Sequence, residues 1–280
     1  MATSRSVPRP PEVGRFVHFE HVNFRYQDHR LAKAYFILGL GFTIEPYRQA
    51  SPRNLWVNVG TQQFHLPLGE PMPWPGEVHV AVPDLARTER SLQDAQRWLE
   101  GTAFRFAREN GTLATRDPYG RAVRVHDAHK LPTRGPVGIP GVQLDVPPGT
   151  APGIARFYRE VMRCPAELAG RKGARQVHVQ AGPHQAFQFV ETKGAQEAPA
   201  HNNHVAVYVT DYWQLYETLG ARDLIMEPVG VAREQFRFSD IVDLDSGSLL
   251  YRIEHEIRSL YHPDFLHPLV NRLPVEYLVD

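Results

Sequence analysis

The chain has 280 residues, 42% of them hydrophobic and 22% charged, the balance of a globular protein of one large or two ordinary domains. Lys+Arg and Asp+Glu are equal at 31 each, so no global field attracts nucleic acid or an anionic membrane, and no apolar run approaches the ~20 residues that span a bilayer. The single cysteine, Cys164, excludes an internal disulfide, and a polar N-terminus without a signal-peptide core points to a cytoplasmic setting.

Residues 1–15 read as a flexible leader, with Val7-Pro-Arg-Pro-Pro11 its most extended part. The segment from His21 to Asp28 alternates as a strand and runs into a helix whose apolar face carries Leu31, Tyr35 and Leu38. Short strand-like runs follow at 42–47, 55–59 and 63–68. The same order returns from Glu77: a strand to Asp84, a helix face of Leu85, Leu92 and Leu99, and strands at 104–108, 112–115 and 122–126. Asn110-Gly111 is a tight hairpin turn between two of these, which also accounts for the glycosylation-like Asn110-Gly-Thr112.

A third opening begins at Gly141 and a fourth at His204, followed by helices carrying Ile154, Phe157, Tyr158 and Val161, then Tyr212, Leu215, Tyr216 and Leu219. Asp28, Asp84, Thr150 and Asp211 stand where an N-cap belongs. The four openings are spaced by 56, 64 and 63 residues, so the chain reads as four copies of one strand-helix-strand-strand-strand unit.

The openings at His21 and His204, the junction Leu38-Gly-Leu-Gly-Phe42 and the hairpin Asp117-Pro-Tyr-Gly-Arg121 resemble the vicinal oxygen chelate superfamily. Its members include glyoxalase I, bleomycin-resistance proteins, extradiol ring-cleaving dioxygenases and hydroxyphenylpyruvate dioxygenase. Asp243-Leu-Asp-Ser-Gly247 is similar to a lengthened form of the same hairpin, and the likeness runs from about Phe16 to His255. It implies an α+β fold in which four βαβββ modules pair into two domains, each an eight-stranded cup-shaped mixed sheet. The expected N-terminal domain is 16–128 (modules 16–69 and 75–128). A linker at 129–138 leads to a C-terminal domain at 139–259 (modules 139–193 and 200–259), and a strap at 260–280 closes the chain.

In that superfamily metal ligands come from the first and last strands of facing units. Carried onto this chain, the resemblance implies His21, His65 and Glu77 as ligands of a metal in the N-terminal cup. Two imidazoles and a carboxylate suit iron(II) first, with manganese, nickel, zinc or copper as alternatives. Arg124 stands where many members carry a glutamate; it would hold a substrate anion, and His79 beside Glu77 would carry protons. His126 and Trp56 complete the expected substrate wall. In the second cup Gln143, His204 and Glu254 form an alternative metal set, while Gly141 is a corner without a ligand, and His201 lies in the approach to its strand. Gln188 or Glu191, and Tyr251 as an alternative to Glu254, are the candidates on the last strands of units three and four.

These expectations converge on a metal-dependent enzyme chelating adjacent oxygens of a small, anionic substrate, an iron dioxygenase-type oxidoreductase first. A glyoxalase-like isomerase or lyase, and a metal-free binding protein using Trp56, Trp74, Phe187 and Trp213, are the alternatives. A homodimer is compatible with this reading. No phosphate loop or nucleophile elbow occurs, and Cys164 before a proline is a poor nucleophile.

Overall fold

The computed structural model describes residues 15–47, 51, 53–131, 137–171, 174–199, 202–226 and 234–271. The leader, His201 and the core of the expected linker fall outside these residues, as does the end of the strap.

Four units follow one another. Unit one comprises β1 (Phe16–Asn23), α1 (His29–Ala32) continuing as a π-helical turn (Lys33–Gly39), β2 (Thr43–Ile44), β3 (Asn54–Val59) and β4 (Gln62–Pro67). Unit two comprises β5 (Gly76–Val82), α2 (Leu85–Ala95), β6 (Arg105–Glu109), β7 (Thr112–Arg116) and β8 (Ala122–Asp127). Unit three has β9 (Gly138–Val146), α3 (Ala151–Glu160), β10 (Ala166–Arg171), β11 (Ala174–Gly182) and β12 (Gln185–Glu191). Unit four has β13 (His204–Val209), α4 (Tyr212–Gly220), β14 (Gln235–Val242) and β15 (Leu249–Ser259).

Local chemistry sets most boundaries. The side chains of Asp28 and Asp84 accept from Arg30 N and Arg87 N and start their helices. Thr150 makes no such bond; the Glu191 carboxylate accepts from Gly149 N and Ala151 N in its place. Asp211 also leaves its helix uncapped, because its backbone is left-handed. Asn110 and Gly111 both have positive φ, 49° and 80°, as the tight hairpin between β6 and β7 requires.

Two mixed sheets result. One runs β14-β15-β13-β1-β4-β3-β2 and the other β10-β11-β12-β9-β5-β8-β7-β6. The first therefore has seven strands, not eight, because among the described residues unit four has only three; Ile225 makes a lone bridge to Phe238 where a fourth would lie.

The pairing of units corrects the sequence expectation. Unit one does not face unit two: β1 pairs antiparallel with β13 of unit four, and β5 pairs antiparallel with β9 of unit three. Successive units two and three thus close one cup, and unit four returns to complete the other with unit one. Between the sheets lies a shared apolar core, in which Phe16 and Phe19 meet Phe187 at ring distances of 6.0 and 5.1 Å. Trp74 and Phe187, expected as ligand wall, are core residues, while Trp213 is exposed.

Unit two is nonetheless tied to unit one. Tyr26 donates to Asp117 at 2.7 Å, Arg121 Nε donates to the same carboxylate at 2.7 Å, and Arg121 Nη1 reaches Arg25 O at 3.0 Å. The Asp117-Pro-Tyr-Gly hairpin is thus an interunit lock, with Asp117 and Arg121 buried at its centre.

Candidate metal centre

β1 is the central strand of the seven-stranded sheet, and its pairing with β13 is irregular between Phe19 and His21. That irregularity lets Phe19 and Val22 both enter the core while Glu20 folds back on its neighbour, with its carboxylate 2.6 Å from His21 Nδ1. Such a carboxylate fixes the tautomer: Nδ1 carries the proton and Nε2 presents a lone pair.

His21 Nε2 lies 3.3 Å from His204 Nε2 on β13. His204 Nδ1 in turn lies 3.4 Å from the Glu254 carboxylate, and its Nε2 is 3.5 Å from Glu256 Oε2. His65 on β4 stands opposite Asn23 of β1 and opposite Trp56 of β3. Its ring is stacked on Trp56 at 4.0 Å and 6°, and its buried Nε2 has no hydrogen-bond partner. Asn23 Nδ2 sits 3.0 Å from His65 Nδ1; with the amide flipped, its oxygen would accept from Nδ1–H and leave Nε2 as a lone pair.

Ligand atoms of His21, His65 and His204 all lie within 4.8 Å of one another. Two nitrogens each ~2.1 Å from one ion are ~3.4 Å apart at a tetrahedral angle, which the His21–His204 separation matches. Converging lone pairs beside a carboxylate repel one another unless a cation lies between them, so the residues present fit a divalent metal.

The electrostatics agree. Burial lowers His65 to about 3, with the charge of His21 adding to it. Burial also holds His204 well below the ordinary histidine value, with His21 and Arg237 assisting and Glu256 opposing. Both rings are therefore neutral and ready to ligate at neutral pH. For Glu256 the largest influence, burial, acts upward, but Arg258, His204, His21 and Arg237 together outweigh it and keep the carboxylate ionised. Glu254 is raised by burial against the opposing charge of Arg237.

Register identifies the fourth corner. Asn23 pairs with His65 and, in the equivalent position of unit four, Ala206 pairs with Glu256. Glu256, not Glu254, is therefore the counterpart of His65. The sequence pattern places Glu254 two residues short because the turn before β15 is lengthened and the β14–β15 pairing is irregular between Phe238 and Asp240.

The expected grouping of Glu77 with His21 and His65 does not form. Glu77 lies in the other sheet, opposite Gln143, and its carboxylate binds Arg124 at 3.0 Å. Arg124 also reaches Glu109 at 3.0 Å, so its guanidinium closes two ion pairs. His79 pairs with His126 at 2.8 Å in that same cup. Gln143 bonds Asp145 there, which separates it from His204 and Glu254 and dissolves the alternative metal set. Gln188 bonds Gln176, and Tyr251 is buried in the core.

Gly141 is glycine for a backbone reason: a Cβ there would stand 2.0 Å from Ala186 O. Among the described residues the histidine triad is the one group of three or more metal-capable side chains. Cys164 is buried, with its thiol pushed up to about 12 by that burial. A groove of about 1460 Å³ lies away from the histidines, between α1 and α2. Among the described residues no helix is long and apolar enough to cross a membrane.

The chain thus has the vicinal oxygen chelate fold: its units close in pairs into two cups, and the histidine triad lies in the cup of units one and four. Glyoxalase I from Zea mays has this fold, with a TM-score of 0.62 at 16% identity over 89% of this chain and 95% of its own. A candidate dioxygenase from Bacillus subtilis subsp. subtilis strain 168 has it as well, with a TM-score of 0.56 at 14% identity over 94% of each chain. No protein-family model matches the sequence, and no curated protein matches it.

Proposed function

We propose that the protein is a metal-dependent enzyme whose divalent ion is held by His21, His65, His204 and Glu256 and whose small substrate presents two adjacent oxygens. The observation that carries this reading is the convergence of three imidazoles, with ligand atoms all within 4.8 Å of one another. When bound, an ion held by these three imidazoles and one carboxylate would supply Lewis acidity to the adjacent oxygens of the substrate.

The chain's own groups do the rest. Glu20 and Glu254 orient the rings of His21 and His204, and Trp56 walls the cup beside His65. Arg25, two residues past the end of β1, is exposed, and its charge reaches Glu254; it would hold an anionic substrate, the role the sequence suggested for Arg124.

With Glu256 among the ligands, the substrate's two oxygens would complete the set around the ion, which favours redox-neutral chemistry, that of an isomerase or lyase. A second reading rests on Glu256, which Arg258 and Arg237 hold away by ion pairs. If it stays there, the three histidines alone would hold the ion, whose chemistry would then extend to oxygen activation, that of an iron dioxygenase-type oxidoreductase. Elemental analysis of protein prepared with and without air, followed by oxygen uptake with small hydroxy acids, oxo acids and catechols, tests both. One metal per chain and no oxygen uptake is expected; uptake coupled to turnover selects the second reading, and inability to acquire metal sinks both.

A further inference from the structure

Arg258, on β15, is 4% exposed and sits where the two halves of the proposed centre meet. Its Nη1 donates to Glu20 at 2.9 Å, and its Nε and Nη2 reach Glu256 at 2.7 and 2.6 Å. It thereby joins the carboxylate that orients His21 to the fourth corner. Burying a guanidinium is favourable only with such pairing, and here each partner already serves a different half of the site.

The same Nη1 lies 3.7 Å from Asp264, the first acidic residue of the segment that follows β15. Phe265 packs on Tyr208 at 4.9 Å. The segment then leaves unit four and ends on unit one. Val270 N donates to Glu45 at 2.6 Å, Asn58 Nδ2 donates to Val270 O at 3.1 Å, and Thr43 donates to Asn271 at 2.6 Å. Unit one supplies His21 and His65, unit four supplies His204 and Glu256, and the sheet joins them along the single seam between β1 and β13.

We infer that residues 260–271 form a clasp across this seam, with Arg258 as the positioning residue through which clasp docking and metal occupancy are coupled. The inference rests on the metal centre proposed above. Coupling is reciprocal: whatever factor the docked clasp adds to metal affinity, the metal adds to clasp docking. A segment that merely covered the Tyr208 ring would stabilise the fold without this reciprocity.

The test uses the full-length protein and cobalt(II) alone, read by its visible absorption and by hydrogen exchange of the 260–271 peptides. Asp264→Asn and Glu45→Gln, which leave every proposed ligand in place, are expected to weaken cobalt binding about 5- to 50-fold with unchanged circular dichroism. Arg258→Met is expected to weaken it further and shift the absorption bands, and Arg258→Lys to restore part of both. In the wild-type protein cobalt should slow exchange in 260–271, an observation that needs no variant. Wild-type cobalt affinity in Asp264→Asn and Glu45→Gln, with clasp exchange indifferent to cobalt, overturns the clasp alone. A wild-type protein that binds no cobalt overturns the clasp and the metal centre together.

Discussion

His21 Nε2 lies 3.3 Å from His204 Nε2 although 183 residues separate them. Each ring is turned by a carboxylate at its other nitrogen, Glu20 for one and Glu254 for the other. The two lone pairs therefore face each other across the β1–β13 seam, an arrangement that costs free energy without a cation and gains from one.

Metal removal is expected to destabilise the protein for that reason. A ligand at 100 times its dissociation constant contributes about 2.7 kcal/mol, or roughly 5–10 °C in Tm for a domain of this size. Thermal scans with nickel or zinc and after chelation should show that difference. His21→Ala or His204→Ala should abolish it, and Glu77→Ala, in the other sheet, should leave it intact. Metal-induced stabilisation that survives His204→Ala would place the ion elsewhere.

Trp56 offers an optical handle on the same site. Its ring lies 4.0 Å from that of His65 and parallel to it, so a paramagnetic ion bound to His65 sits within a few ångströms of the indole. Nickel or copper is expected to quench a distinct part of the tryptophan emission, and Trp56→Phe should remove that part while Trp74, Trp98 and Trp213 remain. Quenching unchanged in Trp56→Phe would refute the assignment.

Much of this centre was legible in the sequence and one essential relation was not. His21 and His65 could be aligned because each unit repeats its own strand order, a local pattern. Which unit faces which is decided by packing between strands more than a hundred residues apart, such as His21 against Ala206, and no local signal marks it. Glu77 matched the position of His21 equally well, yet an oppositely charged Arg124 at the end of the same unit neutralises it. Glu256 was missed because the lengthened turn before β15 hides the register. The replacement of a ligand by Gly141 does carry a physical cause, the close approach of Ala186 O, visible only once β9 and β12 are side by side.

The lock between units one and two is expected to act on stability alone. Asp117 and Arg121 are buried as an ion pair that also takes the Tyr26 hydroxyl. Removing one partner of a buried pair leaves the other uncompensated and costs about 3–5 kcal/mol. Asp117→Ala should lower the urea midpoint accordingly while the folded fraction still binds one metal. Loss of metal binding at full stability would show that the hairpin belongs to the site.

The second cup predicts a pH dependence of its own. His79 is lowered to about 4 by burial first, then by the charges of His126 and Arg124, and His126 is lowered by burial and Arg124. A folded-state value below the unfolded 6.5 means that stability is complete above pH 6.5. It is lost as pH falls from there toward 4, because in that window the unfolded chain binds protons that the folded chain refuses. His79 contributes a slope of about 1.4 kcal/mol per pH unit in that window. The pair, 2.8 Å apart, cannot accept a second charge without separating. Denaturation of the metal-free protein between pH 7.5 and 4.5 should therefore be steeper for the wild type than for His79→Asn, with the curves parallel above pH 7. Curves parallel throughout would show that His79 titrates in the folded protein as it does in the unfolded chain.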